Sequence, residues 1–276
     1  MAWFKRSRPE QKLLSGGGEK ISGDDFPDLA ALMNMSIEDL KDEFYLFQIR
    51  KFMSRLGKVA VRYNLSDDEG EKLYVNSARL NLDRLLVSPA YVDNCLKYAE
   101  KHEAEKVRVG VIIDFPFGES SFSAKLLSVK ECARKQIGEV TVVIPVMYAE
   151  PERARELKKQ LKKLGRIRSC PVGVAFNAQD MTEEQLKRAV KTAEKTKTAF
   201  ITLFFGESDD ALIKSRAEAV MKHCSGKRVN VLGNINNAQI CTELLKLQTG
   251  TIYTPFADEI GAELLKKFNI KSLKLM

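Results

Sequence analysis

The feature that most constrains this chain is a repeated alternation. Short apolar runs of four to eleven residues take turns with longer amphipathic segments, eight times over. The apolar runs are Lys58–Tyr63, Arg84–Val87, Val107–Asp114, Glu139–Val146, Arg166–Phe176, Ala199–Phe205, Arg228–Leu232 and Thr251–Thr254. Val109–Ile113 and Val140–Ile144 are apolar without alternation, as expected of strands buried on both faces. Each run is followed by a helical pattern. Ser66-Asp67-Asp68-Glu69 opens the first as a capping box, and Thr182 with Gln185 opens the one before Lys195. Eight strand–helix units predict a parallel sheet that closes into a (β/α)8 TIM barrel, with an open doubly wound sheet as the rival. The 276 residues suit one such domain.

Upstream of the alternation, residues 1–35 are expected to be a basic, flexible tail. Met1–Arg8 is basic, Gly16-Gly17-Gly18 is flexible and Pro27 breaks any regular structure before the first helix. Residues 36–276 form the barrel domain. It includes an extra N-terminal helix over 36–56, opened by Ser36 with Asp39 and given an apolar side by Leu40, Phe44, Phe47 and Phe52. Its expected role is a plug under the barrel floor.

Composition excludes several classes. No stretch reaches the roughly 18 apolar residues of a membrane span, and Met1–Gly18 has no apolar core of a secretory signal. Cytoplasmic location is the default expectation. The five cysteines are odd in number and unpaired in spacing, which argues against a disulfide framework and a zinc cluster. The two histidines, His102 and His223, have no second histidine at ligand spacing. No metal and no cofactor are expected. A net charge of +8 permits an acidic partner without naming one.

Within this frame, Ile113-Asp114-Phe115-Pro116-Phe117-Gly118 resembles the "GFPLG" loop of the deoxyribose-phosphate aldolases. Lys125 through Lys130 and Glu139 through Ile144 continue in step with that family. Val87-Ser88-Pro89-Ala90-Tyr91-Val92 resembles its "VNPxxV" segment, and Val229 through Ala257 matches its last two units without a gap. The resemblance covers about 66–257 and implies the same barrel.

The resemblance also shows what is missing. The family's retro-aldol cleavage uses a lysine that forms a Schiff base, a second lysine that lowers its pKa, and an acid/base carboxyl. The resemblance gives these positions to Thr202, Asn230 and Thr141, and none of the three is ionisable. The family's phosphate cradle of glycine and serine amides corresponds to Gly206, Gly233, Asn234, Tyr253, Pro255 and Phe256. Two aromatic rings add bulk there, and Pro255 lacks an N–H. No lysine sits at a strand's C-terminal end, where barrel enzymes keep their chemistry. Lys58, Lys106 and Lys227 lie at strand starts and are expected at the floor. Asp114 is expected to stabilise its loop.

A strongly basic surface remains. Arg155, Lys158, Lys159, Lys162 and Lys163 lie on one helix, whose inward face is Leu157, Leu161 and Leu164. Lys187, Arg188 and Lys191 lie on the next, and neighbouring outer helices bring the two sets together. Aromatics hardly interleave with this run, which disfavours nucleic acid. The expectation is a catalytically silent aldolase relative that works by binding, as a scaffold or adaptor. An acidic filament such as filamentous actin is the kind of partner meant. The alternative is a lyase with altered chemistry on a small carbonyl or sugar-phosphate substrate. Family members are often dimers, so a homodimer stays open.

Overall fold

The computed structural model describes residues 36–61, 65–102, 107–135, 137–207 and 209–268. The tail over 1–35, Lys106 and the C-terminal residues 269–276 lie outside them. Eight parallel strands pair in sequence order, and the last pairs with the first, so the barrel is closed. The strands are β1 (Leu56–Ala60), β2 (Arg84–Val87), β3 (Arg108–Ile113), β4 (Glu139–Ile144), β5 (Val172–Asn177), β6 (Phe200–Phe204), β7 (Arg228–Leu232) and β8 (Ile252–Thr254). The helices are α1 (Ile37–Met53), α2 (Asp67–Arg79), α3 (Val92–Lys101), α4 (Phe122–Cys132), α5 (Ala154–Leu164), α6 (Glu183–Glu194), α7 (Asp210–Met221), α8 (Ala238–Lys246) and α9 (Ala257–Lys267). Both expected capping boxes form, on Ser66 with Glu69 and on Thr182 with Gln185.

Side-chain parity divides the core in two. Along β4, Val140, Val142 and Ile144 join the large cluster between strands and helices, whereas Val143 joins the cluster inside the barrel. The interior cluster also holds Leu86, Ile112, Ala175, Phe204, Leu232 and Tyr253. The barrel is therefore a packed core and no pore.

Four expectations are corrected. The run Arg166–Phe176 was too long, because only Val172–Asn177 pairs as strand. Helix α1 stops at Met53, and Leu56 already begins β1, so the span 36–56 was also too long. Its buried residues Ile49, Phe52 and Met53 belong to the outer core, and it packs on α9 and β1. It flanks the barrel and does not plug the floor. Phe47 is exposed, off the apolar side that was assigned to it.

Candidate functional site at the barrel mouth

The C-terminal ends of the strands define the face where barrel enzymes act. Thr141 shares the inward parity of Val143, Thr202 that of Phe204, and Asn230 that of Leu232. Thr202 and Asn230 are direct register partners. All three are buried, at 1%, 0% and 0% exposure. The Oδ1 of Asn230 accepts a hydrogen bond from the Thr251 amide at 3.0 Å. Among the described residues, the hydroxyls of Thr141 and Thr202 and the Nδ2 of Asn230 meet no hydrogen-bonding partner. Hydroxyl and amide groups can neither form an imine nor carry charge at neutral pH. Above them Phe204 and Phe115 meet edge to face, with centroids 4.8 Å apart, and add apolar bulk toward the mouth.

Tyr253 does not sit where its position in the phosphate stretch suggested. Its ring turns into the barrel and fills the space beside Gly57, where a Cβ would come within 2.5 Å of it. Its hydroxyl donates to Glu139 Oε1 at 2.5 Å. Burial, followed by the Glu139 charge, pushes the phenol pKa well up. The fully buried Glu139 also accepts from Arg228 Nη2 at 2.5 Å and lies 3.3 Å from Arg84 Nε. Arg84 and Arg108 both bind Asp83, which accepts the Thr251 hydroxyl at 2.5 Å. The barrel floor is thus a charge network of three arginines and two carboxylates. No sequence signal had singled out Glu139 or Asp83.

The remaining phosphate positions are occupied or turned away. The Gly206 amide donates to the side chain of Gln179 at 3.0 Å, and the Gly233 amide to the Tyr253 carbonyl. Asn234 is exposed. Pro255 and Phe256 are half-buried ahead of α9, and Thr254 Oγ1 accepts from the Phe256 amide. The first turn of α9 carries Asp258 and Glu259. Those carboxylates complement the helix dipole as a phosphate otherwise would, and they repel an anion.

Of the lysines expected at the floor, Lys58 and Lys227 lie among the described residues, and Lys125 joins them. Lys58 is the third residue of β1 and its side chain faces outward, where Nζ lies 2.7 Å from Asp258 Oδ2 of α9. It does not face the floor. Lys227 donates to the carbonyls of Thr196 and Thr198, at the start of β6. Lys125, which lies on a helix and so escapes a search of strand ends, brings its amine to the ends of β3 and β4. Its Nζ donates to the carbonyls of Gly118 and Val143 and lies 3.1 Å from Asp114 Oδ2. Burial lowers its pKa, and Asp114 opposes that shift. With three partners and 3% exposure, this amine holds the loop.

Asp114 accepts from the Ser120 hydroxyl and amide, both at 2.8 Å. Its φ is +64°, a conformation glycine adopts freely and aspartate tolerates. The glycine that the resemblance places at this position suits the same φ.

On the flank, α5 and α6 pack side by side. Arg155, Lys158, Lys159, Lys162 and Lys163 of α5 are exposed, as are Lys187 and Lys191 of α6. Arg188 is half-buried and donates to the Ala149 carbonyl at 2.7 Å. An open groove of about 460 Å³ runs along α6, lined by Glu184, Lys187, Arg188, Lys191, Thr192 and Lys195. Among the described residues, no group of His, Cys, Asp and Glu could hold a metal ion, and no helix is long and apolar enough to cross a membrane.

No protein-family model matches the chain. It is 23% identical over 224 residues to the deoxyribose-phosphate aldolase of Aquifex aeolicus, covering 80% of this chain and 99% of that protein. It is 28% identical over 156 residues to the deoxyribose-phosphate aldolase of Bacteroides thetaiotaomicron, covering 52% and 63%. Among solved structures, the aldolase QR15 superposes with a TM-score of 0.70 at 21% identity, over 80% of this chain and 99% of that one. The tetrameric deoxyribose phosphate aldolase of Aeropyrum pernix superposes with a TM-score of 0.66 at 16% identity, over 88% and 97%. In sequence and in fold, the chain is a relative of the deoxyribose-phosphate aldolases.

Proposed function

We propose that this protein is a catalytically silent relative of the deoxyribose-phosphate aldolases that acts by binding, as a scaffold or adaptor for an acidic protein partner. One observation carries the reading. Thr202, at the position that the resemblance gives to the Schiff-base lysine, is fully buried beside its register partner Asn230, and neither side chain carries an amine. Lys125 is the amine nearest the strand ends among those described above, and its hydrogens are committed to the loop and to Asp114.

The basic face supports the binding half. Among the described residues, Arg155, Lys158, Lys159, Lys162, Lys187 and Lys191 have no carboxylate within ion-pair distance. Unpaired cations on adjacent helices raise the local potential and steer acidic surfaces toward them. Co-sedimentation with filamentous actin tests one partner of this chemistry. The reading expects salt-sensitive pelleting that Lys187→Glu/Lys191→Glu abolishes. Equal pelleting of both proteins removes the basic face from the account.

A further inference from the structure

Two large apolar side chains stand exposed on neighbouring loops of the barrel mouth. Phe117 is 71% exposed and Met147 is 53% exposed. The loops touch: a Cβ on Gly118 would lie 2.9 Å from the Val143 carbonyl and 3.1 Å from the Pro145 nitrogen. The loop that carries Phe117 is held in place on every side. The Gly118 amide donates to the Asp114 carbonyl at 2.8 Å, Lys125 binds the Gly118 carbonyl, and Phe115 turns inward onto Phe204. A firmly held turn thus presents one of its two phenylalanines to the core and the other to solvent. Presenting an apolar ring on a fixed loop lowers the ordering cost of a contact made there.

Met147 lies on the short 3-10 turn Val146–Ala149, which packs against both α5 and α6. Arg188 of α6 binds the Ala149 carbonyl, and the Arg153 guanidinium lies 4.5 Å from the centroid of the Tyr148 ring. The exposed apolar pair therefore stands at the upper end of the same two helices that carry the basic face. Exposed apolar side chains beside a charged face are a usual composition of a protein-binding surface.

We infer that Phe117 and Met147 are the apolar anchor of the docking surface, and that its occupant is an acidic protein segment carrying aromatic or aliphatic side chains. The inference rests on the basic-face reading above and adds a second, apolar component to it. Charge complementarity selects the occupant. A second copy of this chain would bring the same cations against these, so like charge disfavours it. The anchor lies on the strand-end face, whereas the cations lie on the helix flank, so the surface turns a corner. A flexible segment can bend round that corner, and a flat lipid bilayer cannot.

The test uses the full chain, with poly-glutamate and a glutamate–tyrosine copolymer of matched length as probes. Phe117→Ser/Met147→Ser and Lys187→Glu/Lys191→Glu are compared with the parent, each after its thermal unfolding midpoint has been checked. The inference expects the copolymer to bind at least fivefold more tightly than poly-glutamate. It expects the serine variant to lose that preference while binding poly-glutamate like the parent, and the charge-reversed variant to bind both polymers weakly. A serine variant that keeps the full preference overturns the inference and leaves the basic-face reading standing. A parent that binds neither polymer overturns both. A parent that shows no polymer preference, but binds vesicles of phosphatidylserine and phosphatidylcholine in a way the serine variant loses, overturns the inference in favour of a lipid surface.

Discussion

The phenol of Tyr253, at the last strand, donates a 2.5 Å hydrogen bond to the carboxylate of Glu139, at the start of the fourth. The bond spans the inside of the barrel, and the same carboxylate receives Arg228. A buried carboxylate with three partners, Arg84 among them, tolerates the loss of none easily. Tyr253→Phe removes one donor, and we expect it to destabilise the fold by about 1–3 kcal/mol. Glu139→Ala leaves the buried Arg84 with Asp83 alone and takes the carboxylate from Arg228, with an expected loss of about 3–5 kcal/mol. Urea unfolding of the two variants checks the order, and a Glu139→Ala variant as stable as the parent contradicts it.

The loop over 114–118 yields a second expectation. Lys125→Met removes the donor to two carbonyls and to Asp114, with an expected cost of about 1–3 kcal/mol. At Asp114, glycine suits φ +64° but loses the bonds to Ser120, whereas alanine loses those bonds and strains the backbone as well. Thermal melts are expected to rank the parent above Asp114→Gly, and Asp114→Gly above Asp114→Ala.

Stability is expected to fall on the alkaline side. All five cysteines are free and buried, and burial raises each thiol pKa, to about 12 for Cys95 and about 11 for Cys170 and Cys224. A raised folded pKa leaves stability intact below the unfolded value of about 8.5. Above it the unfolded chain sheds protons that the folded chain keeps. The loss is about 1.4 kcal/mol per pH unit for each such thiol, until the folded pKa is passed. Urea midpoints in reductant at pH 7 and pH 10 test this. A flat profile between them contradicts it.

The barrel was legible because eight short runs alternate with helical patterns, and Val109–Ile113 and Val140–Ile144 carry the continuous apolar signature of strands buried on both faces. Register and depth were not legible. Tyr253 read as bulk at a phosphate site, yet its pairing with Leu232 and Gly57 turns the ring inward toward the floor. Glu139 was read only as the start of a strand and Asp83 went unremarked, because Tyr253, Arg228, Arg108 and Thr251 reach them from strands far away in sequence. Phe47 was assigned to an apolar side by its residue type alone. Leu46, Ile49 and Met53 are buried well round the helix from Phe47, although buried Leu40 shares its side. Lys125 carries no strand-end signal, because a long side chain from a helix reaches the same place.

The most direct test of the central claim is a coupled retro-aldol assay on deoxyribose 5-phosphate, with borohydride trapping read by intact mass. The account predicts no turnover and an unshifted mass at high protein concentration, because Thr202 cannot form an imine and Lys125 is committed to the loop and to Asp114. Turnover, or a trapped adduct on any lysine, contradicts it.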